Sequence, residues 1–164
     1  MSDMLVKLYT LPPLEDALAI ARRHDVTVRR ALTPEKPHIL AWAAEHFPGW
    51  AAEIDVALGR LPVACFIALR DRQIVGFACH DATCKNFFGP EGVLDAVQGQ
   101  GVGRALLLAA LHAQREAGYA YAIIGSAGPT AFYEKTVGAV TIEGSSPGIY
   151  AGMLSVQSPR THPT

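Results

Sequence analysis

The sequence predicts an α/β domain of the α+β type, and three observations predict it. Short apolar runs bounded by Gly, Pro or charged residues recur along the chain and read as strands. Between them lie stretches with apolar residues at helical spacing, the longest running from Gly101 to Gly118. The chain has 164 residues, half of them hydrophobic, enough for one domain with a sizeable core. Neither an internal repeat nor a linker divides it, so residues 1–164 read as a single domain.

Met4 to Tyr9 reads as a strand, and Pro12-Pro13 opens a helix with Leu14, Ala17, Leu18 and Ala21 on one face. Val26 to Ala31 is the next strand. Thr33-Pro34-Glu35-Lys36 starts a helix, with threonine as cap and proline in the first turn, that runs to about Glu45. Phe47-Pro48-Gly49-Trp50 breaks it, and a second helix carries Trp50, Ile54, Ala57 and Leu58. Pro62 to Leu69 and Gln73 to His80 are strands joined by the polar hairpin loop Arg70-Asp71-Arg72-Gln73. Phe87 to Leu94 is a strand in which Gly89-Pro90 and Gly92 predict a bulge or the close approach of another backbone. The helix from Gly101 buries Val102, Leu106, Ala109 and Ala113 and ends at Gly118. Tyr119 to Ile124 is almost continuously apolar and reads as a buried central strand. Pro129 opens a short helix that Gly138 closes, and Val140 to Glu143 is a further strand. Gly144 to Tyr150 is a turn-rich loop, Tyr150 to Val156 the last strand, and residues 157–164 a frayed tail.

The formal net charge is −1, from 14 basic and 15 acidic residues. This balance offers no electrostatic footprint for nucleic acid and no basic run for an anionic membrane. No apolar stretch approaches the ~18 residues that span a bilayer. Met4 to Leu8 is too short for a signal peptide and holds Lys7, so a cytoplasmic location is expected. Disulfides are not expected among Cys65, Cys79 and Cys84. Cys65 and Cys79 fall in apolar strands as small core residues, and Cys79-His80-x-x-x-Cys84 lacks a standard zinc spacing and a fourth ligand. No metal site is expected.

The chemical signal lies in Val93-Leu94-Asp95-Ala96-Val97-Gln98-Gly99-Gln100-Gly101-Val102-Gly103-Arg104, a strand end, a glycine-rich turn and a helix start. Glycines at alternate positions let another molecule approach the backbone. The opening amides of a helix have no intrahelical partner and sit at the positive end of its dipole, which makes a phosphate receptor. A dinucleotide fingerprint counted from Gly99 and Gly101 would need glycine or alanine where Arg104 stands. A P-loop needs a Gly-Lys pair, and the chain has none.

What remains is Gln98-x-x-Gly101-x-Gly103. It resembles the Arg/Gln-x-x-Gly-x-Gly/Ala signature of the GCN5-related N-acetyltransferases, the GNAT family. Further along, Phe132-Tyr133-Glu134-Lys135-Thr136-Val137-Gly138-Ala139 resembles the Phe-Tyr-Glu-Lys-x-Gly-Phe segment of the same family, in the right order. The resemblance covers most of residues 26–143. It implies a central mixed, mostly antiparallel sheet of about seven strands flanked by helices, with residues 1–25 as an N-terminal strand-helix extension that packs or makes an oligomer contact. It also implies acetyl-coenzyme A as co-substrate, its pyrophosphate held by the turn of Gln98, Gly99, Gln100, Gly101, Val102, Gly103 and Arg104. The implied reaction is direct acetyl transfer from the thioester to an amine of a small molecule or peptide. Dimers are common in the family, so a homodimer is carried as an expectation.

An alkyl amine with a pKa of about 10.4 is protonated at neutral pH and must lose its proton, and the leaving thiolate needs a donor. Tyr133 aligns with the tyrosine that acts as general acid in several family members, and a phenol is protonated at pH 7. The resemblance points to the backbone of Val93 and Leu94 as donors to the acetyl carbonyl. Glu91 shares a strand face with Val93 and is a candidate base; His80 and a water chain are the alternatives, while Asp95 ends the strand. In the family the helix pair after the first strand borders the acceptor, which brings in Trp42, His46 and Trp50, although aromatics at this spacing also suit a core. The sequence departs from the family pattern at Ala127, where an asparagine touching the pantetheine arm is common, and at Ala139. A non-catalytic acyl-coenzyme A sensor on the same fold is the alternative reading.

Overall fold

A computed structural model describes residues 1–154. The chain runs through β1 (Met4–Lys7), α1 (Leu14–Arg22), β2 (Thr27–Arg30), α2 (Lys36–His46), α3 (Ala51–Leu58), β3 (Cys65–Arg70) and β4 (Gln73–His80). It continues through β5 (Phe87–Val93), α4 (Val102–Glu116), β6 (Tyr121–Ile124), α5 (Thr130–Val137) and β7 (Val140–Thr141). The seven strands form one sheet in the order β2-β3-β4-β5-β6-β1-β7. Every neighbouring pair is antiparallel except β5–β6, so the mixed, mostly antiparallel sheet expected from the resemblance is present.

Turn chemistry sets the register of the central hairpin. Asp71 and Arg72 both take positive φ, 48° and 64°, between the paired Arg70 and Gln73, the backbone of a tight turn whose twist matches that of its strands. Strand alternation then sorts side chains to two cores. Phe66, Ala68 and Ala78 join α1, α4 and α5 on one face. Cys65, Ile67, Phe77 and Cys79 join α2 and α3 on the other. Cys65 and Cys79 sit opposite each other as buried free thiols, as small core residues would.

Two expectations are corrected. Residues 1–25 are not an appendage: β1 lies inside the sheet between β6 and β7, with Met4 opposite Ile124 on one side and Thr141 on the other. Met4, Val6 and Leu8 are fully buried, and α1 packs over α4. That cover explains why α4 is buried around its whole girth from Ala105 to Gln114, not only along one stripe. His112, beneath α1, donates Nε2–H to the Pro12 carbonyl at 2.8 Å and accepts from Arg115 at 3.0 Å. The second correction concerns the C-terminal end. No strand starts at Tyr150; Gly148–Tyr150 is a short 3-10 turn, and residues 151–154 are not strand. The rest of the expected strand and the expected frayed tail lie outside the described residues. The strand expected over Val140 to Glu143 is confined to Val140–Thr141.

Among the described residues no helix is long and apolar enough to cross a membrane.

Candidate functional site

The parallel strands β5 and β6 touch only at Phe87–Ile123 and Phe88–Ile124. Beyond that point the register of β5 against β4 shifts between Ala78 and His80. The bulge falls at Gly89-Pro90, as the sequence predicts, and a bulge bends its strand. β6 ends at Ile124 and the chain turns away into α5. The diverging strands open a cleft of about 1020 Å³. Glu91, Ala127 and Tyr133 line one side, and Trp50, Val56 and Tyr150 another.

The glycine-rich turn leads into α4 beside this cleft. Gly101 is the N-cap at φ 79°, and among the described residues no side chain caps the helix end. Ala105 is bonded to the Gly101 carbonyl at 3.0 Å, which leaves the amides of Val102, Gly103 and Arg104 without an intrahelical acceptor. The side chains of the turn serve the protein itself. Gln98 donates to Asp95 at 2.8 Å, and Gln100 bonds the Ala96 carbonyl and Arg70. Of the side chains here, that leaves Arg104, whose buried Nε has no partner among the described residues, to join the backbone amides and the helix dipole at a phosphate.

The glycines have separate reasons. Gly99 faces open space, as a close ligand approach requires. A Cβ on Gly101 would meet Ile20 Cγ2 of α1 at 2.7 Å, so the missing side chain makes room for α1, not for a ligand. Gly101→Ala combines that clash with a left-handed backbone. It is expected to lower stability by about 1–3 kcal/mol and to weaken diphosphate binding, measured by chemical denaturation and by calorimetry.

Glu91 and Tyr133, from different elements, share the cleft. Glu91 and Val93 alternate onto the α4 face, where Glu91 Oε1 and Val93 Cγ2 lie 3.6 Å and 3.7 Å from the position a Gly103 Cβ would take. Glu91 Oε1 is closed to solvent and has no hydrogen-bond partner among the described residues, while the residue as a whole is half-buried on the cleft wall. Burial pushes its carboxyl up to about 8, because the charged form loses hydration. Tyr133 is packed edge-on against Phe88 and Phe132, with ring centroids 6.3 Å and 5.2 Å away. Burial, and then the Glu91 charge, raise its phenol above the usual tyrosine range. It holds its proton at neutral pH.

The strand backbone supplies one donor where two were expected. The Leu94 amide is engaged by the Val75 carbonyl at 2.9 Å. Hydrogen-bonded pairs alternate along an antiparallel ladder, and Val93 pairs with Gly76 at the next position. Its N–H therefore points away from β4, toward the side where β6 has diverged.

The other sequence candidates are dispersed. Trp50 lines the cleft, but Trp42 and His46 pack on each other at a tilt, ring centroids 5.1 Å apart, in a cluster where Trp42 also meets Phe47 and Phe77. His80 turns into a different pocket, and Asp95 is exposed against Gln98. Ile149 and Tyr150, from the turn-rich loop, line the site, and residues the sequence did not flag complete it: Met1 and Met153 line it too. Buried Asp3 accepts from Ser126 N at 2.7 Å, and Ser2 accepts from Ala127 N at 3.0 Å. The N-terminal segment thus pins the β6–α5 loop at the position of the missing asparagine.

Residues 62–136 match the family model of the acetyltransferase (GNAT) domain, a span that contains Glu91, the glycine-rich turn and Tyr133. Among solved structures, the chain is similar to the GCN5-related glucosamine N-acetyltransferase region of a fungal multi-domain GH3 β-N-acetylglucosaminidase. The TM-score is 0.71 at 13% identity, over 86% of this chain and 19% of that one. It is similar to a GCN5-related N-acetyltransferase from Sphaerobacter thermophilus, with TM-score 0.61 at 18% identity, over 86% of this chain and 48% of that one. An aminoglycoside acetyltransferase from an uncultured soil metagenomic sample gives TM-score 0.51 at 18% identity, over 69% of this chain and 88% of that one. The chain spans less than half the length of the first two. At these identities the likeness is one of fold. No curated protein matches the sequence.

Proposed function

From a chain that is GNAT-like in sequence over residues 62–136 and has the GNAT fold around them, we propose an N-acetyltransferase that moves the acetyl group of acetyl-coenzyme A to an amine of a small molecule or peptide. The observation that carries this reading is the meeting of Glu91 and Tyr133 on one cleft wall beside an uncapped helix start.

The cofactor would supply an acetyl group activated as a thioester. The amides of Val102, Gly103 and Arg104 suit its diphosphate, since no side chain among the described residues caps them. The Val93 N–H, free of β4, would donate to the acetyl oxygen. Glu91, ionised, would take the proton that the amine, bound in its neutral form after giving its ammonium proton to solvent, loses as it attacks. Tyr133 gives its proton to the sulfur as the C–S bond breaks and the C–N bond forms. Passage of the proton from Glu91 to the phenolate, directly or through water, restores both groups. The cleft lining also holds Trp50, Val56, Ile149 and Met153 together with the Glu53 carboxylate, which accepts from the Thr83 hydroxyl, a mix that suits an amine carried on an apolar body.

The test has two stages. Calorimetry with acetyl-coenzyme A is expected to show one saturable site, with a matching rise in melting temperature. Release of coenzyme A thiol against a panel of amines is expected to be positive for at least one. Binding without release for every amine would favour the sensor reading, and absence of binding would remove both.

A further inference from the structure

We propose that the acceptor is an alkyl diamine, whose reacting amine meets Glu91 while its second ammonium is held by Glu53; the proposal rests on the transferase reading above. The cleft passes through the sheet where β5 and β6 part, and one carboxylate enters it from each face. Glu91 lies toward α4. Glu53 comes from α3, whose Ile54, Ala57 and Leu58 pack on the opposite face of the sheet. No Lys, Arg or His side chain is among the described residues that line the cleft. Met1, which also lines it, is exposed, and its amino group forms no ion pair with Glu53 or Glu91.

The α3 side suits a cation. Trp50, Glu53 and Val56 recur every third residue at the start of α3, which places them along one side of the helix, and all three line the cleft. The Thr83 hydroxyl donates to Glu53 Oε1 and holds the carboxylate in place. Among the described residues Glu53 forms no ion pair, so its charge is left for a ligand. Trp50 stacks on Phe47 with ring centroids 5.6 Å apart and meets Phe77 edge-on at 6.2 Å, yet stays 39% exposed. A ring fixed in this way attracts a cation over its open face. Tyr150 stands on the same lining, its Oη 2.5 Å from where a Gly125 Cβ would be. Burial, then the charges of Glu53 and Asp3, raise its phenol above the usual tyrosine range, so this end of the cleft lies in a field set by carboxylates.

Charge then selects the ligand. A carboxylate or phosphate on the acceptor would meet Glu53 with no cationic side chain on the lining to offset the repulsion. A monoamine that reacts at Glu91 leaves Glu53 without a partner. A diamine gives Glu53 a charge-assisted hydrogen bond from one end and leaves the other end to lose its proton and attack. Val56, Phe88, Ile124, Ile149 and Met153 make much of the remaining wall apolar, which suits a methylene chain between the two nitrogens.

The experiment uses the full chain with two readouts. Calorimetry in saturating coenzyme A compares α,ω-diamines of increasing length with ω-amino acids of the same lengths. Thiol release gives kcat/KM for the diamines and for the matching monoamines. A diamine is expected to bind, with the amino acid of its length at least tenfold weaker, and to exceed its monoamine tenfold or more in kcat/KM. Glu53→Gln keeps an oxygen for Thr83. It is expected to weaken diamine binding tenfold or more at an unchanged melting temperature and to bring the diamine-to-monoamine ratio close to one. No diamine binding, equal affinity for the amino acid, or equal diamine affinity in Glu53→Gln would each overturn the proposal. Monoamines acetylated as well as diamines would overturn it while leaving the transferase reading in place. Diamine binding that depends on Glu53, with no thiol released from any amine, would uphold the ammonium site and remove acetyl transfer alone.

Discussion

Tyr133→Phe is expected to lower kcat by about 10²–10⁴-fold and to leave the KM for acetyl-coenzyme A within about twofold. The ring's packing against Phe88 and Phe132 survives the change, so the cleft wall keeps its shape. The phenol oxygen makes no hydrogen bond among the described side chains, so its removal strands no partner. A melting temperature equal to that of the parent protein would confirm that only the proton has been lost. The phenol's raised pKa means that no falling limb from Tyr133 is expected below about pH 10. Steady-state kinetics over that range decide the matter: an unchanged kcat takes Tyr133 out of the chemistry and leaves it a packing residue.

Glu91→Gln should affect both rate and stability. In the parent protein kcat/KM is expected to rise with pH and level off above about 8, where burial has placed the carboxyl. The glutamine variant should lose about 10²–10⁴-fold in rate and should lack that limb. The stability effect has the opposite sense. The unfolded carboxyl titrates near 4.5 and the folded one near 8. Between those values the folded chain holds one more proton than the unfolded chain, so this group's contribution to stability falls as pH rises through the window. The loss is on the order of a few kcal/mol above pH 8, reduced from the full shift because the residue is only half-buried. Glu91→Gln is therefore expected to melt higher than the parent at pH 9 and close to it at pH 5. A variant that keeps the alkaline limb in kinetics would shift the base to a water chain.

Much of this site was legible in the sequence because its signals are local. The glycine-rich turn, the strand parity that puts Glu91 with Val93, and the Asp71-Arg72 hairpin each lie within a few consecutive residues. What stayed hidden depends on distant pairing. Met-Leu-Val-Lys at residues 4–7 announces one buried face but cannot say that its partners are residues 121–124 and 140–141. The misread strand from Tyr150 follows from the same gap. The edge of β6 that a late strand might have joined is already taken by β1, and Tyr150 and Met153 line the cleft instead. The unavailable Leu94 amide depended on the ladder phase against β4, and the sharing of one cleft by Glu53 and Glu91 on residues far apart in the chain.

The insertion of β1 between β6 and β7 also orders events during synthesis. Of the seven strands of this sheet, β1 leaves the ribosome first and is one of the last able to settle. Met4 must wait for Ile124 and Thr141 to emerge, and closing so long a loop is slow compared with forming the neighbouring β3–β4 hairpin. Until then Met4, Val6 and Leu8 are greasy and uncovered, and the nascent chain is expected to be most prone to aggregation in that interval.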